Sequence, residues 1–360
     1  MLTRMTRAHA RRLPLSIALC VVTAFPLAAC AQNEPVRPAP ADAPTTPLGE
    51  IVSRTGPSVK YVYQSANGDH WFGSNDAGVY RYDGKTLVRF TTKDGLASDR
   101  VDGIEEDAQG NLYFTTYEGV SRFDGRGFTT LPVAGGPTSD WKKEPGDLWF
   151  VGPPDQGIVY RFDGTALHRL AFPSTPLGDA HFVNMPRDKF PNAKYNPYDV
   201  YSILRDSKDN VWFGTTCVGV CRYDGKEFRW LTDRVLAAAP VRSILEDRDG
   251  NYWFSYSGQG TIEGARPVEG FAAVQDGATG AILAGMSIAQ DDDGHLWTAA
   301  SRAGAFRFDG ERAVNYPIRD GDTPIQVFTI SKDRGGVLWL GTHNGGAYRW
   351  NGDAFEPFRP

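Results

Sequence analysis

Apolar and polar residues alternate along this chain in short runs, and helical spacing is rare. Val200-Tyr201-Ser202-Ile203 is such a run. An Asp/Asn-rich turn follows it, and then the block Val211-Trp212-Phe213-Gly214. Alternation over a few residues, bounded by Gly, Asp and Asn, predicts half-buried strands joined by tight turns. The same text returns from Val59 and from Val101, and its central aromatic falls at Trp71, Tyr113, Trp149, Trp212, Trp253, Trp297 and Trp339. The mean step is about 41 residues once an insertion between Trp149 and Trp212 is set aside, which is the length of a four-stranded propeller blade. Asp-Gly, the dipeptide of hairpin turns with positive φ, recurs at Asp83-Gly84, Asp124-Gly125, Asp163-Gly164, Asp224-Gly225 and Asp309-Gly310, with Asn351-Gly352 in the last unit. The fifth unit lacks it after Trp253-Phe254, so that blade is expected to be irregular.

One four-stranded sheet cannot hide both of its faces, so repeated sheets must pack face to face, and a closed ring leaves only short edges. The expected fold is therefore all-β: a seven-bladed β-propeller of four-stranded antiparallel blades over residues 58–360, with an insertion at 172–197. The seven aromatics in one repeat slot are expected to be core, since a large aromatic buries roughly 150–250 Å². Ile51-Val52-Ser53 is expected to pair beside the last strand, near Phe355 and Phe358, and clasp the ring.

The first 29 residues follow a different logic. They carry Arg4, Arg7, Arg11 and Arg12 with no acid, then an apolar stretch from Leu13 to Ala29, the pattern of an export signal. Leu27-Ala28-Ala29-Cys30 resembles the bacterial lipobox, which implies lipidation of Cys30 and cleavage before it. Ala31 in place of Asp then implies an outer-membrane anchor facing the periplasm. Residues 30–57 are rich in Pro and Ala and read as a tether. The formal charge of −5 becomes −9 without the signal, which excludes the basic footprint of a nucleic-acid binder. Cys217 and Cys221 are the only other thiols after export, and a disulfide between them is expected in an oxidising compartment.

The repeat resembles the two-component regulator propeller repeat. The likeness is carried by Ser243-Ile244-Leu245-Glu246-Asp247 with Asp249-Gly250-Asn251-Tyr252-Trp253-Phe254, and by Val211-Trp212-Phe213-Gly214-Thr215 with Gly219-Val220-Cys221-Arg222-Tyr223-Asp224-Gly225. The resemblance covers about residues 59–358. It implies an extracytoplasmic sensor module, and in that family many members are thought to sense carbohydrates. No membrane span or kinase follows the repeats here, so the resemblance implies binding without implying a kinase output.

A ligand is expected on the face formed by the loops between strands two and three and by the connections between blades. The insertion belongs there and brings His181, Phe182, Arg187, Lys189, Phe190 and Tyr195. Arg302, His343 and Asn344 join them from other loops, and Asp76, Glu118, Gln156 and Gln259 lie on the same face. Aromatics beside hydrogen-bonding groups suit a small polar molecule such as a carbohydrate, or an envelope protein partner. No nucleophile elbow, zinc-protease motif, phosphate loop or dinucleotide fingerprint occurs. No cofactor and no metal are expected, and Asp291-Asp292-Asp293-Gly294 reads as turn chemistry. The enzymatic rival is a propeller lyase like the streptogramin lyases, which would need His181, His343 and Glu118 to converge. A third reading is a purely structural envelope scaffold.

Overall fold

The computed structural model describes residues 48–184, 188, 196–232, 240–256, 272–275, 279–310 and 312–360. It is a β-propeller. The expected seven four-stranded antiparallel blades are corrected in count and in form. Among the described residues, six sheets have four strands, the sheet at the N-terminal end has five, and Arg319–Asp320 with Thr323–Pro324 forms a separate two-stranded one. Two of the four-stranded sheets also contain a parallel pair, at Val133–Thr138 with Leu167–Ala171 and at Tyr252–Tyr256 with Thr279–Ala284. The second of these is the unit that lacks Asp-Gly.

The fifth strand of the first sheet is Glu50–Ile51, antiparallel to Leu87–Phe90 of the same sheet. The expected clasp onto the last sheet is therefore corrected: this segment extends its own sheet. Side chains join the first and last sheets instead. Trp339 packs against Phe72 at 5.8 Å, Phe358 stacks on Phe72 at 4.9 Å, and Ser331 Oγ donates to the Val62 carbonyl at 3.0 Å.

Most sheets follow one plan. The inner strand is Val-x-x-Ile, or Val-x-x-Val in the first sheet: Val59/Val62, Val101/Ile104, Val200/Ile203, Val241/Ile244 and Val327/Ile330. Each pair sits in an apolar cluster with the repeat aromatic of the preceding sheet. Val101 and Ile104 pack with Trp71, Val200 with Trp149, and Val241 and Ile244 with Trp212. The indole is held by a carboxylate six residues earlier, in the first hairpin. Trp212 Nε1 donates to Asp206 at 2.7 Å, Trp253 to Asp247 at 2.8 Å, Trp297 to Asp291 at 2.7 Å and Trp339 to Asp333 at 2.8 Å. Ser65 takes this role for Trp71, and Asp107 accepts from Tyr113. Burial pushes the pKa of Asp206 up, but its bonds from Trp212, Asn210 and Tyr252 outweigh that and hold it below the ordinary range.

The third sheet departs from the plan. Its order places Leu148–Val151, the strand of the repeat aromatic, at one edge, and Val133–Thr138 at the other. Residues 133–147 offer Gly135-Gly136-Pro137 and no Val-x-x-Ile, so nothing there can form the inner wedge. The segment runs along the outer strand instead, and Trp141 stacks on Trp149 at 5.8 Å. Lys143 stands six residues before Trp149, where the carboxylate would be, and the buried Trp149 indole N–H has no acceptor.

This contrast yields a stability test. Trp212→Phe and Trp149→Phe delete the same volume, but only the first removes a hydrogen bond to a carboxylate. Trp212→Phe is expected to cost about 1.5–3 kcal/mol more in denaturant unfolding. Equal costs would contradict the carboxylate latch.

Candidate functional site

The inner strands build the site through a repeated irregularity. Register slips after the first residue in five of them, between Val59 and Tyr61, Val101 and Gly103, Val200 and Ser202, Val241 and Ser243, and Val327 and Thr329. A bulge of this kind leaves one residue out of the ladder and re-aims its side chain. The residues released are Lys60, Asp102, Tyr201, Arg242 and Phe328, and all five line one central cavity of about 470 Å³.

Close approach of neighbouring sheets makes the bulge possible. A methyl group on Gly214 would fall 2.7 Å from the Val241 carbonyl oxygen of the next sheet, and one on Gly341 would fall 2.8 Å from that of Val59. The Gly of Trp-Phe-Gly is thus a spacing requirement.

Charges in the cavity are arranged in pairs. Lys60 bridges to Asp102, and Arg100 Nε lies 3.2 Å from the same carboxylate. Burial lowers the Lys60 pKa against the pull of Asp102. The Arg242 guanidinium sits 3.8 Å over the Tyr201 ring, close enough for a cation–π contact. Arg100 lies 5.2 Å over the exposed Tyr117 ring. Burial, followed by Asp102, raises the Tyr61 pKa, so that phenol stays protonated. Ser202 Oγ donates to the Val241 carbonyl and Ser287 Oγ to that of Ile330, so both hydroxyls tie sheets together. The lining contains no His and no Cys.

Glu105 also lines this cavity. Its side chain is exposed to the water of the channel, the crowded lining takes away part of its solvation, and no described donor bonds it. That partial loss of solvation pushes its pKa up to about 7.

The residues expected from the sequence lie elsewhere. The insertion forms a helix at Pro176–Asn184, which holds His181 and Phe182. His181 is half-buried, with its pKa lowered by burial, and Phe182 is exposed. Phe172, at the start of the insertion, is core against Trp141 and Phe213. Arg187, Lys189, Phe190 and Tyr195 lie outside the described residues, as do Gln259 and Cys30. Arg302 is an exposed turn residue. His343 is exposed and meets Phe328 edge-on at 5.3 Å, which places it next to the cavity lining. Asn344 Oδ1 accepts from the Gln326 amide at 3.0 Å and lines a different cleft with Arg54 and Tyr80. Of the described ones, His181, Phe182, Arg302, His343 and Asn344, none lines the central cavity.

The disulfide expectation is corrected. Cys217 and Cys221 are both free. Cys221 is in a strand, fully buried with Phe213 and Val218, whereas Cys217 is half-exposed in the preceding turn and electrostatically coupled to Asp199. Among the described residues, only Asp291, Asp293 and His295 form a group of three able to face one ion. Asp291 Oδ2 is already engaged by Trp297 and His295, which fits turn chemistry. His181, His343 and Glu118 do not form such a group.

Sequence reasoning missed Lys60, Arg100, Asp102, Glu105, Tyr201 and Arg242. A signal was present: apolar residues at i and i+3 do not fit a period of two, so each inner strand had to contain a bulge.

A carboxyl with a raised folded-state pKa binds its proton more tightly in the folded state. Stability therefore falls as pH rises from the ordinary Glu range, about 4.3, toward about 7. Glu105→Gln is expected to raise Tm at pH 8 and to leave it unchanged at pH 4. A difference independent of pH would contradict the assignment.

Comparison with known proteins places this geometry. Residues 194–217 and 236–258 match the family model described as two component regulator propeller. No curated protein sequence matches the chain. Among solved structures, the extracellular domain of a hybrid two component system from B. thetaiotaomicron is similar at TM-score 0.56 and 19% identity, over 83% of this chain and 39% of that one. The chain thus spans about two fifths of that structure's length. Virginiamycin B lyase from Staphylococcus aureus is similar at TM-score 0.58 and 15% identity, covering 83% and 97%. YCF48 bound to D1 peptide is similar at TM-score 0.54 and 11% identity, covering 86% and 98%. Likeness at these identities shows the fold alone. The chain is a β-propeller, two segments of which, residues 194–217 and 236–258, match the two component regulator propeller repeat.

Proposed function

We propose that this protein is an exported, lipid-anchored propeller that binds a ligand or partner at its central cavity without transforming it. The observation that carries this reading is the cavity's chemistry. Charged and aromatic side chains are delivered there by bulges in successive sheets, and the lining holds neither His nor Cys. Its serines, Ser202, Ser243 and Ser287, are engaged in hydrogen bonds between sheets. The likeness to an extracellular domain of a two component system supports a role in recognition outside the cytoplasm. The anchor rests on the lipobox-like Leu27-Ala28-Ala29-Cys30, and the periplasmic, outer-membrane location rests on Ala31 after it.

The lyase reading keeps one supporting observation, the structural likeness to virginiamycin B lyase over 97% of that chain. It lacks a gathered set of His and Glu among the described residues.

Thermal-shift screening of residues 48–360 against glycans and peptides tests the proposal. A true ligand at 100 times its Kd adds about 2.7 kcal/mol of stability. Arg242→Ala is expected to weaken that shift, and mass spectrometry is expected to recover the ligand intact. Turnover of the bound molecule would overturn the non-catalytic reading. In the full chain, Cys30→Ala is expected to move the protein from the membrane to the soluble fraction, and no change would overturn the anchor.

A further inference from the structure

The central cavity has one wall unlike the others. In the other blade sheets the aromatic strand is covered on its channel side by an inner strand of the same sheet, but among the described residues Leu148–Val151 pairs only with Ile158–Phe162. An edge strand presents unpaired N–H and C=O groups and is a template for strand addition. Trp149, Phe150 and Val151 line the cavity on this side. The apolar cluster behind them unites Tyr113, Val120 and Leu131 with Phe150, Tyr160, Phe162 and Leu167, and it contains no inner-strand Val/Ile pair.

We propose that the third sheet receives an extended peptide segment of a partner protein as its inner strand, antiparallel to Leu148–Val151. This rests on the reading of the cavity as a binding site. The repeats themselves specify the peptide's chemistry. Positions one and four must be aliphatic, as Val and Ile are in the neighbouring sheets.

Position three is set by the residue opposite it. At least one partner is small in Tyr61–Gly73, Gly103–Thr115, Ser202–Gly214 and Thr329–Gly341. Val151 stands where Gly73, Gly214 and Gly341 stand in their sheets, so position three of the peptide must be Gly.

Position six is set by the preceding hairpin. The sixth inner-strand residue reaches back to the turn of the sheet before it: Lys332 and Arg205 donate there, to Asp292 and to the Asp147 carbonyl, and in four sheets a Glu or Gln accepts from a turn amide. Glu106 accepts from the Ala66 amide, Glu246 from Ser207 and Gln290 from Arg248, while Gln64 accepts from Arg334 across the ring closure. The equivalent amide facing the third sheet belongs to Ala108, and no described residue accepts from it. A Glu or Gln at position six answers it. The motif is thus aliphatic-x-Gly-aliphatic-x-Glu/Gln, which the chain's own second inner strand, VDGIEE at 101–106, satisfies.

The probe is the capped peptide VDGIEE labelled with a fluorophore, titrated by polarisation against residues 48–360. Saturable binding is expected, weakened more than tenfold in VDVIEE and about five- to tenfold in VDGIEA. Ala108→Pro removes only the latching N–H. Ala108 is the second residue of a turn closed by Gly110 N to Asp107 O, a position that accepts proline. This variant is expected to bind VDGIEE and VDGIEA alike and to keep the parent's Tm. No saturable binding, equal binding of VDVIEE, or a preference for VDGIEE retained in Ala108→Pro would each overturn the proposal. A cavity ligand found by thermal shift that VDGIEE does not displace would overturn strand addition alone and leave the binding reading standing.

Discussion

Most sheets of this molecule are locked to their neighbour by one aliphatic strand wedged against the preceding sheet's aromatic. The wedge is apolar where Val and Ile meet the indole, and polar at its end, where the sixth residue reaches the neighbouring turn. The wedge comes so close that the facing strand needs Gly: a methyl group would meet the Val101 side chain at Gly73 and the backbone carbonyls of Val241 and Val59 at Gly214 and Gly341. The channel chemistry follows from the same constraint. Val and Ile must both reach the interface at a spacing of three, so the strand bulges and its second residue is turned into the cavity. Structure and site are therefore consequences of one local pattern.

Much of this was legible in the chain itself. The recurring aromatic and the Asp-Gly turns specify four-stranded units because few other sequences satisfy both the strand alternation and the positive-φ hairpin. The hairpin Asp six residues before Trp212, Trp253, Trp297 and Trp339 is visible as turn chemistry, but its second role as indole acceptor needs the fold. Attention went to long loops for function, whereas the cavity is lined from the inner strands by Lys60, Asp102, Tyr201 and Arg242. Trp149-Phe150 fits the repeat, so the third unit reads as regular at that point. Its missing Val-x-x-Ile and the Val151 in a Gly slot were readable signs that it is not. The pairing of Cys217 with Cys221 failed on side-chain direction: a strand residue facing the core and a residue of the preceding turn do not meet.

The functional picture turns on this asymmetry. Five bulged strands deliver groups that already have partners, Lys60 with Asp102 and Arg242 with Tyr201. Between those two pairs lies the sheet whose channel edge is uncovered, beside a carboxylate with no donor. Recognition by main-chain pairing, with small and aliphatic positions giving selectivity, needs no catalytic group.

Amide hydrogen exchange of the unliganded protein tests the open edge most directly. Each residue of 148–151 has the same place in its sheet as one in Val211–Thr215, but only the latter strand is paired on both sides. The account predicts that the channel-facing amides of 148–151 exchange markedly faster than their counterparts in 211–215. Equal protection of the two strands would mean that another strand already covers the third sheet, and would contradict it.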